Sequence, residues 1–127
     1  MTTDIRDIDR ARRDSVIAAL AVAIDEVSTR RGVKITTELV NADPPTACDP
    51  AILRTLEESA IKAGKTYKKM VARAYHDSSF VSCIAPTAML FIPCRGGVSH
   101  RRDEYAYPKW IASGVHVLAR TLAALAE

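Results

Sequence analysis

Residues that could bind a metal or transfer a proton are concentrated in one glycine-rich segment, Gly96-Gly97-Val98-Ser99-His100. This segment follows residues 87–94, an almost continuous apolar run typical of a strand buried on both faces of a parallel sheet. In open α/β sheets, ligands bind beyond the carboxyl ends of the strands, and two glycines allow a sharp turn or a close approach to a ligand. The position of His100 therefore favours a metal ligand or a general base, with a surface histidine as the alternative.

A second candidate is the dipeptide His76-Asp77, which follows a predicted strand at residues 67–73. If both strands belong to one sheet, His76 and His100 line the same crevice. A carboxylate beside an imidazole can fix the tautomer or the orientation of the ring. A His-Asp dipeptide by itself is nevertheless a weak signal.

The remaining nucleophiles and histidines form less convincing sites. Cys94 and His100 lack a third group that would orient the base, and nothing indicates a lowered thiol pKa. Cys83, Cys94 and His100 lack the paired cysteine spacing of a structural zinc site. His116 falls in the middle of a predicted helix, where a structural or solvent-facing role is expected.

Strands and helices that would position these residues follow one another in an order typical of an α/β fold. Helices are indicated by apolar residues three and four apart and by their caps. Four helices are predicted: one after Asp9, one from Asp49-Pro50 to Gly64, one at residues 77–84 and one that begins near Pro108. Strands are predicted at residues 33–40, 67–73 and 87–94, and residues 4–8 are predicted as the end of a short strand.

Composition is that of a soluble globular protein, with 48% hydrophobic residues, 26% charged residues and a net charge of +3. The basic residues are dispersed without interleaved aromatic residues, which disfavours nucleic-acid binding. No apolar run is long enough to span a bilayer, and the N-terminus does not resemble a signal peptide, so a cytoplasmic location is expected. The proline-containing stretch at residues 41–46 predicts a boundary between domains at residues 1–43 and 44–127.

The segment "YHDSSFVSCIAPTAMLFIPCRGGVSHRRDEY" resembles the C-terminal signature of a family of amidohydrolases. That family comprises allantoate amidohydrolases, N-carbamoyl-L-amino-acid hydrolases and β-ureidopropionases, within the aminoacylase and carboxypeptidase superfamily of two-metal hydrolases. The shared pattern is His-Asp, Ala-Pro-Thr-Ala-Met, an apolar strand, Gly-Gly-x-Ser-His and a following Glu. The opening "DIRDID", with the helix and strand after it, looks like the second half of the family's smaller lid domain.

The resemblance implies a role for five residues. His100 would bind one of two metal ions, with Glu104 supporting it nearby. His76 would hydrogen-bond the substrate in the catalytic cleft, with Asp77 as its support. Arg6 would clamp the substrate carboxylate from the lid, a task that suits a planar guanidinium.

The fold and chemistry that the resemblance implies belong to a longer enzyme. The chain would be the C-terminal part of a parallel or mixed-sheet zinc-hydrolase catalytic domain, preceded by an incomplete ferredoxin-like lid of strand, helix and strand. The complete enzyme would be a homodimer and would use two ions of Zn²⁺, or of Mn²⁺, Co²⁺ or Ni²⁺, to hydrolyse a linear amide C–N bond in a small carboxylate substrate. We expect neither a nucleic-acid nor a membrane partner.

Two departures from the family pattern limit this interpretation. Tyr75 stands where family members commonly have glycine before His-Asp, and an aromatic residue there would reshape the substrate pocket. In the family, the other metal ligands and the general-base glutamate lie in a long N-terminal region that this sequence does not contain. The sequence has no His-x-Asp motif, and its Glu57-Glu58 pair is expected on the wet face of a helix. The isolated chain is therefore expected to be inactive, to retain no metal and to expose apolar surface. The alternatives are a peptidase or N-deacylase of the same superfamily, or a non-catalytic interaction fragment.

Overall fold

A computed structural model describes residues 1–126 of the chain. These residues form four α-helices: α1 (Arg10–Arg31), α2 (Pro50–Lys62), α3 (Ser78–Val81) and α4 (Pro108–Leu125). The same residues contain one 3₁₀ turn, at Arg95–Gly97. The chain divides into two compact units, of which the first comprises Met1–Thr46 with Val71–Ala74. The second comprises Ala47–Met70 and the chain from Tyr75 onward. The predicted domain boundary after residue 43 stays a prediction.

Helix α1 begins and ends as its sequence predicts. The Asp9 side chain accepts a hydrogen bond of 3.0 Å from the Arg12 backbone N–H and so caps the first turn. At the other end, Gly32 adopts the left-handed conformation with φ of 61°, and its N–H donates to carbonyls of the last turn. Because both caps are local, the sequence alone fixes the length of this helix.

Helix α2 also has the predicted N-terminus. The Asp49 carboxylate accepts hydrogen bonds from the backbone N–H groups of Ala51 and Ile52, at 2.8 and 2.9 Å, and Pro50 occupies the first turn. The Asp49 backbone N–H donates to the Thr87 carbonyl at 2.8 Å. This bond ties the start of α2 to the apolar segment at residues 87–94. The predicted start of α4 at Pro108 and a short helix after Asp77 are confirmed as well.

The four segments predicted as strands lie outside the helices, and residues 1–126 contain no paired β-strand. A β-strand is defined by hydrogen bonds to a neighbouring strand, so an extended segment without such a neighbour is not assigned as one. The strands and the α/β fold class therefore stay predictions.

The core of the second unit is the contact between α2 and α4. Ala60 of α2 and Val117 of α4 are each only 5% exposed, and Thr121 is 2% exposed. Gly114 lets the apolar segment approach α4, because a Cβ at this position would lie 2.4 Å from Cγ2 of Ile92. The buried face of α4 is thus built around small residues.

The large apolar stripe of α4 lies on a different face from the buried residues. Its members are between 45% and 60% exposed in the chain: Ile111, Val115, Leu118, Leu122 and Leu125. The helical period placed these side chains on one face correctly, but α2 packs against the neighbouring face. The expected exposure of apolar surface is confirmed among the described residues.

Glu57 does not lie on the wet face of α2 as predicted, whereas Glu58 does. The Glu57 side chain is 22% exposed and pairs with Lys69, whose Nζ lies 2.5 Å from Oε1. The Tyr67 hydroxyl donates to its other oxygen at 3.4 Å. The prediction was wrong because the chain after Gly64 folds back along α2, which periodicity within the helix does not reveal.

In the first unit, a buried arginine joins α1 to the segment after it. Arg13 is 7% exposed, and its guanidinium donates to the carbonyls of Asp43 at 2.5 Å and Ala42 at 3.5 Å. It also forms an ion pair of 2.8 Å with Asp14. These bonds hold the end of the first unit against the N-terminal turn of α1.

Candidate functional site

The histidine-bearing loop of the second unit is closed at its base. The Arg95 backbone N–H donates to the Tyr105 carbonyl at 2.7 Å, and Nη2 of Arg95 donates to the Asp103 carbonyl at 3.0 Å. The Arg95 guanidinium also lies over the Tyr105 ring, 5.5 Å from its centroid. The intervening residues, with His100 near their midpoint, therefore form a loop whose two ends are held together.

His100 occupies a backbone conformation that only glycine adopts without cost. Its φ is +58°, and it is the one non-glycine residue with positive φ within residues 1–126. Its backbone N–H donates to Oε2 of Glu104 at 2.7 Å, a charge-assisted hydrogen bond. The structure thus brings Glu104 to His100 as predicted, although the contact reaches the backbone of His100 and not its ring. The His100 residue is exposed.

His76 is half-buried and packs against the apolar segment. Its ring centroid lies 5.6 Å from that of Phe91, with an angle of 57° between the planes. Asp77 begins α3 through its carbonyl, which accepts from Phe80 and Val81 at 2.9 and 3.2 Å. Hydrogen bonds within the described chain do not join the Asp77 carboxylate to the His76 ring. The proposed support of His76 by Asp77 therefore stays a prediction.

Tyr75, the residue that departs from the family pattern, packs on α3. Its ring meets that of Phe80 edge to face, with centroids 5.6 Å apart and planes at 74°. Tyr75 as a whole residue is 49% exposed. The aromatic pair therefore forms an apolar surface beside the His-Asp dipeptide, where a glycine would leave the backbone open.

Arg6 lies in the first unit and is held by two neighbours. Its Nε donates to both oxygens of Asp4 at 3.0 Å, and its Nη2 lies 2.5 Å from Oδ2. Its Nη1 donates to the Arg73 carbonyl at 2.8 Å. The hydrogen bond from Arg6 lowers the pKa of the Asp4 carboxyl, so this pair stays charged at neutral pH.

Asp4 and Arg95 were not singled out from the sequence as site residues. Asp4 had a usable signal, because residues two apart in an extended segment point to the same side and so Asp4 and Arg6 must be neighbours. Arg95 had none, since its partners are backbone carbonyls that follow it by eight and ten residues.

The donor set does not by itself fit a catalytic metal ion. Within residues 1–126, no three side chains of the metal-binding types lie close enough together to hold an ion. A catalytic zinc site normally uses about three protein ligands. His100 would therefore supply one ligand at most.

The sequence pattern of Peptidase family M20/M25/M40 matches residues 7–124. The chain therefore belongs to this family, whose enzymes are generally metal-dependent. Ureidoglycolate hydrolase of Arabidopsis thaliana is 42% identical over 96% of the chain. N-carbamoyl-L-amino-acid amidohydrolase of Rhizobium meliloti is 33% identical over 99%. The chain spans only 26% and 30% of the lengths of these two relatives.

Solved structures agree with the sequence comparison. The chain matches AtUAH in complex with glyoxylate at a TM-score of 0.85 and 42% identity, covering 94% of this chain and 29% of that one. It matches an amidase of the hydantoinase/carbamoylase family from Burkholderia multivorans at a TM-score of 0.83 and 32% identity, covering 92% and 28%. The resemblance inferred from the His-Asp and Gly-Gly-x-Ser-His motifs is thus confirmed, while ureidoglycolate hydrolases were not foreseen by name.

No helix among residues 1–126 combines the length and the apolarity of a membrane span.

Proposed function

We propose that this chain is the C-terminal part of a metal-dependent amidohydrolase that cleaves a linear C–N bond of a ureido acid. The observation that carries the proposal is the 42% identity with a ureidoglycolate hydrolase along 96% of the chain. Identity with N-carbamoyl-amino-acid amidohydrolases is lower, at 33%, so a ureidoglycolate-like substrate is favoured over a carbamoyl amino acid. In the complete enzyme the chain belongs to an α/β catalytic domain and a dimerising lid.

The proposal assigns each predicted residue a task that its environment permits. His100 binds one metal ion, and the hydrogen bond from its N–H to Glu104 helps to fix the backbone that presents the imidazole. His76 donates a hydrogen bond to the substrate, and its contact with Phe91 limits the tilt of the ring. Arg6 binds the substrate carboxylate. The other metal ligands, the identity of the ion as Zn²⁺ or Mn²⁺, and the general base come from the rest of the enzyme.

A chimeric enzyme tests this function. The homologous segment of the Arabidopsis enzyme is replaced by residues 4–126 of this chain, and hydrolysis of ureidoglycolate, N-carbamoyl amino acids, allantoate and N-acetyl amino acids is compared. We expect ureidoglycolate turnover that is lost in His100→Ala and retained in His116→Ala, a matched exposed histidine on α4. A folded, metal-loaded chimera that hydrolyses only N-acetyl substrates supports the deacylase alternative. A folded chimera without any hydrolysis supports a non-catalytic fragment.

The isolated chain is the complementary test. With added Zn²⁺, Mn²⁺ or Co²⁺ we expect no turnover of any of these substrates, because the described residues offer no three-ligand cluster. Turnover by the purified chain that disappears in His100→Ala would overturn the proposal that its site needs the rest of the enzyme.

A further inference from the structure

The environment of Arg6 leaves a defined part of its guanidinium free. Of its five N–H donors, the one on Nε and one on Nη2 face the Asp4 carboxylate, and one on Nη1 faces the Arg73 carbonyl. Two N–H groups remain, one on each terminal nitrogen. The Arg6 side chain as a whole is 52% exposed.

This arrangement has two opposing effects on an anion that binds to Arg6. The Asp4 carboxylate cancels part of the positive charge and so weakens the attraction for a second carboxylate. The bonds to Asp4 and Arg73 also restrict a side chain that would otherwise lose rotamer entropy on binding. Because both charges are exposed, solvent screens the repulsion between Asp4 and the bound carboxylate. Screening does not act on the restriction of the Arg6 rotamers.

We propose that Asp4 and the carbonyl of Arg73 are positioning groups, which hold Arg6 so that its two remaining N–H donors meet the carboxylate of a ureido acid. The proposal rests on the proposed function, which makes Arg6 the carboxylate clamp. It adds that the clamp is ordered before the substrate arrives. Asp4 would therefore strengthen binding although its charge has the same sign as the ligand.

The test follows the arginine Nε–Hε resonances of the 127-residue chain by NMR during titration with N-carbamoylglycine at constant ionic strength. We expect a shift of the Arg6 resonance, its loss in Arg6→Ala, and an apparent Kd about three- to fivefold weaker in Asp4→Ala. N-carbamoylglycinamide, which lacks the carboxylate, should leave the resonance unmoved. Asp7→Asn is the matched control, because Asp7 forms the same kind of pair with Arg12.

The possible failures are distinguishable. Tighter binding in Asp4→Ala would overturn the positioning role and show that the Asp4 charge weakens carboxylate binding by Arg6. The assignment of Arg6 as the carboxylate-binding residue would stand. Unchanged binding in Asp4→Ala with loss in Arg6→Ala would also overturn positioning alone. Absence of any carboxylate-dependent shift in the unmodified chain would overturn the assignment of Arg6 as the clamp. The chimera assay decides the proposed function independently of all three results.

Discussion

Substitution of Gly114 by alanine should destabilise the second unit, although alanine normally strengthens a helix. The added Cβ would lie 2.4 Å from Cγ2 of Ile92, more than 1 Å inside the usual carbon–carbon contact of about 3.5–4.0 Å. The atom it meets is a branch methyl next to the backbone, so a rotation of a flexible side-chain end cannot relieve the clash. Overpacking of this kind costs about 1–3 kcal/mol, whereas replacing glycine in a helix gains about 1 kcal/mol.

A double-mutant cycle separates the cost of overpacking from the gain in helix propensity. In the unmodified background we expect Gly114→Ala to lower the free energy of unfolding by up to about 2 kcal/mol. In the Ile92→Ala background the obstructing methyl is gone, and the same substitution should raise that free energy by about 0.5–1 kcal/mol. The sign of the effect therefore reverses, with a coupling energy of about 1–3 kcal/mol between the two positions.

Urea denaturation followed by far-UV circular dichroism and by Trp110 fluorescence measures each variant. Ala119→Gly, at an exposed position of the same helix, is the control and should cost about 1 kcal/mol in both backgrounds. If Gly114→Ala stabilises the chain equally with and without Ile92, the close approach of the apolar segment to α4 is wrong. A changed m value would instead indicate a change in the compactness of one state.

Three further predictions concern capping, pH and backbone strain. Asp49→Ala removes two N-cap hydrogen bonds and should cost about 1 kcal/mol in urea denaturation, with Asp49→Ser retaining most of the stability; an equal loss in both would contradict the capping role. The hydrogen bond from Arg12 lowers the pKa of Asp7 from 3.8 to about 2, so the stabilisation from this pair is present above pH 3.8 and is lost as the pH falls toward 2. Carboxyl NMR should show Asp7 titrating near pH 2 and moving upward in Arg12→Gln; an unchanged titration would exclude Arg12 as the cause. His100→Gly relieves the positive φ and should raise the free energy of unfolding by about 1 kcal/mol in thermal denaturation, while it abolishes the activity of the chimera. Glu104→Gln should lower that free energy, because a neutral amide accepts a weaker hydrogen bond from the His100 backbone N–H than a carboxylate does. A His100→Gly chain that is less stable would refute the backbone strain.

Features set by neighbours in sequence were predictable from the sequence. The caps at Asp9 and Asp49 and the left-handed glycine at position 32 are decided within one helical turn, and all are found where expected. The motifs around His76 and His100 identified the family because they are short and contiguous.

Features set by distant neighbours were not predictable. The apolar period of α4 selects Leu118 and Leu122 as a face, but among the described residues α2 packs on α4, and the buried residues of α4 are Val117 and Thr121. Strand pairing has the same dependence, since an apolar run acquires a β-ladder only from another segment. The contact of Glu104 with the His100 backbone required the loop conformation to be known, although proximity of the two residues was expected.

The closure between Arg95 and Tyr105 affects how the sequence of the loop at residues 95–105 can diverge in evolution. A loop tied at its base transmits little of an internal alteration to the apolar segment before it or to α4 after it. The residues between Arg95 and Tyr105, His100 included, can therefore be replaced together as one segment. Under the proposed function, transplantation of residues 95–105 between relatives, anchors included, would change the metal affinity of the complete enzyme without repacking the surrounding helices.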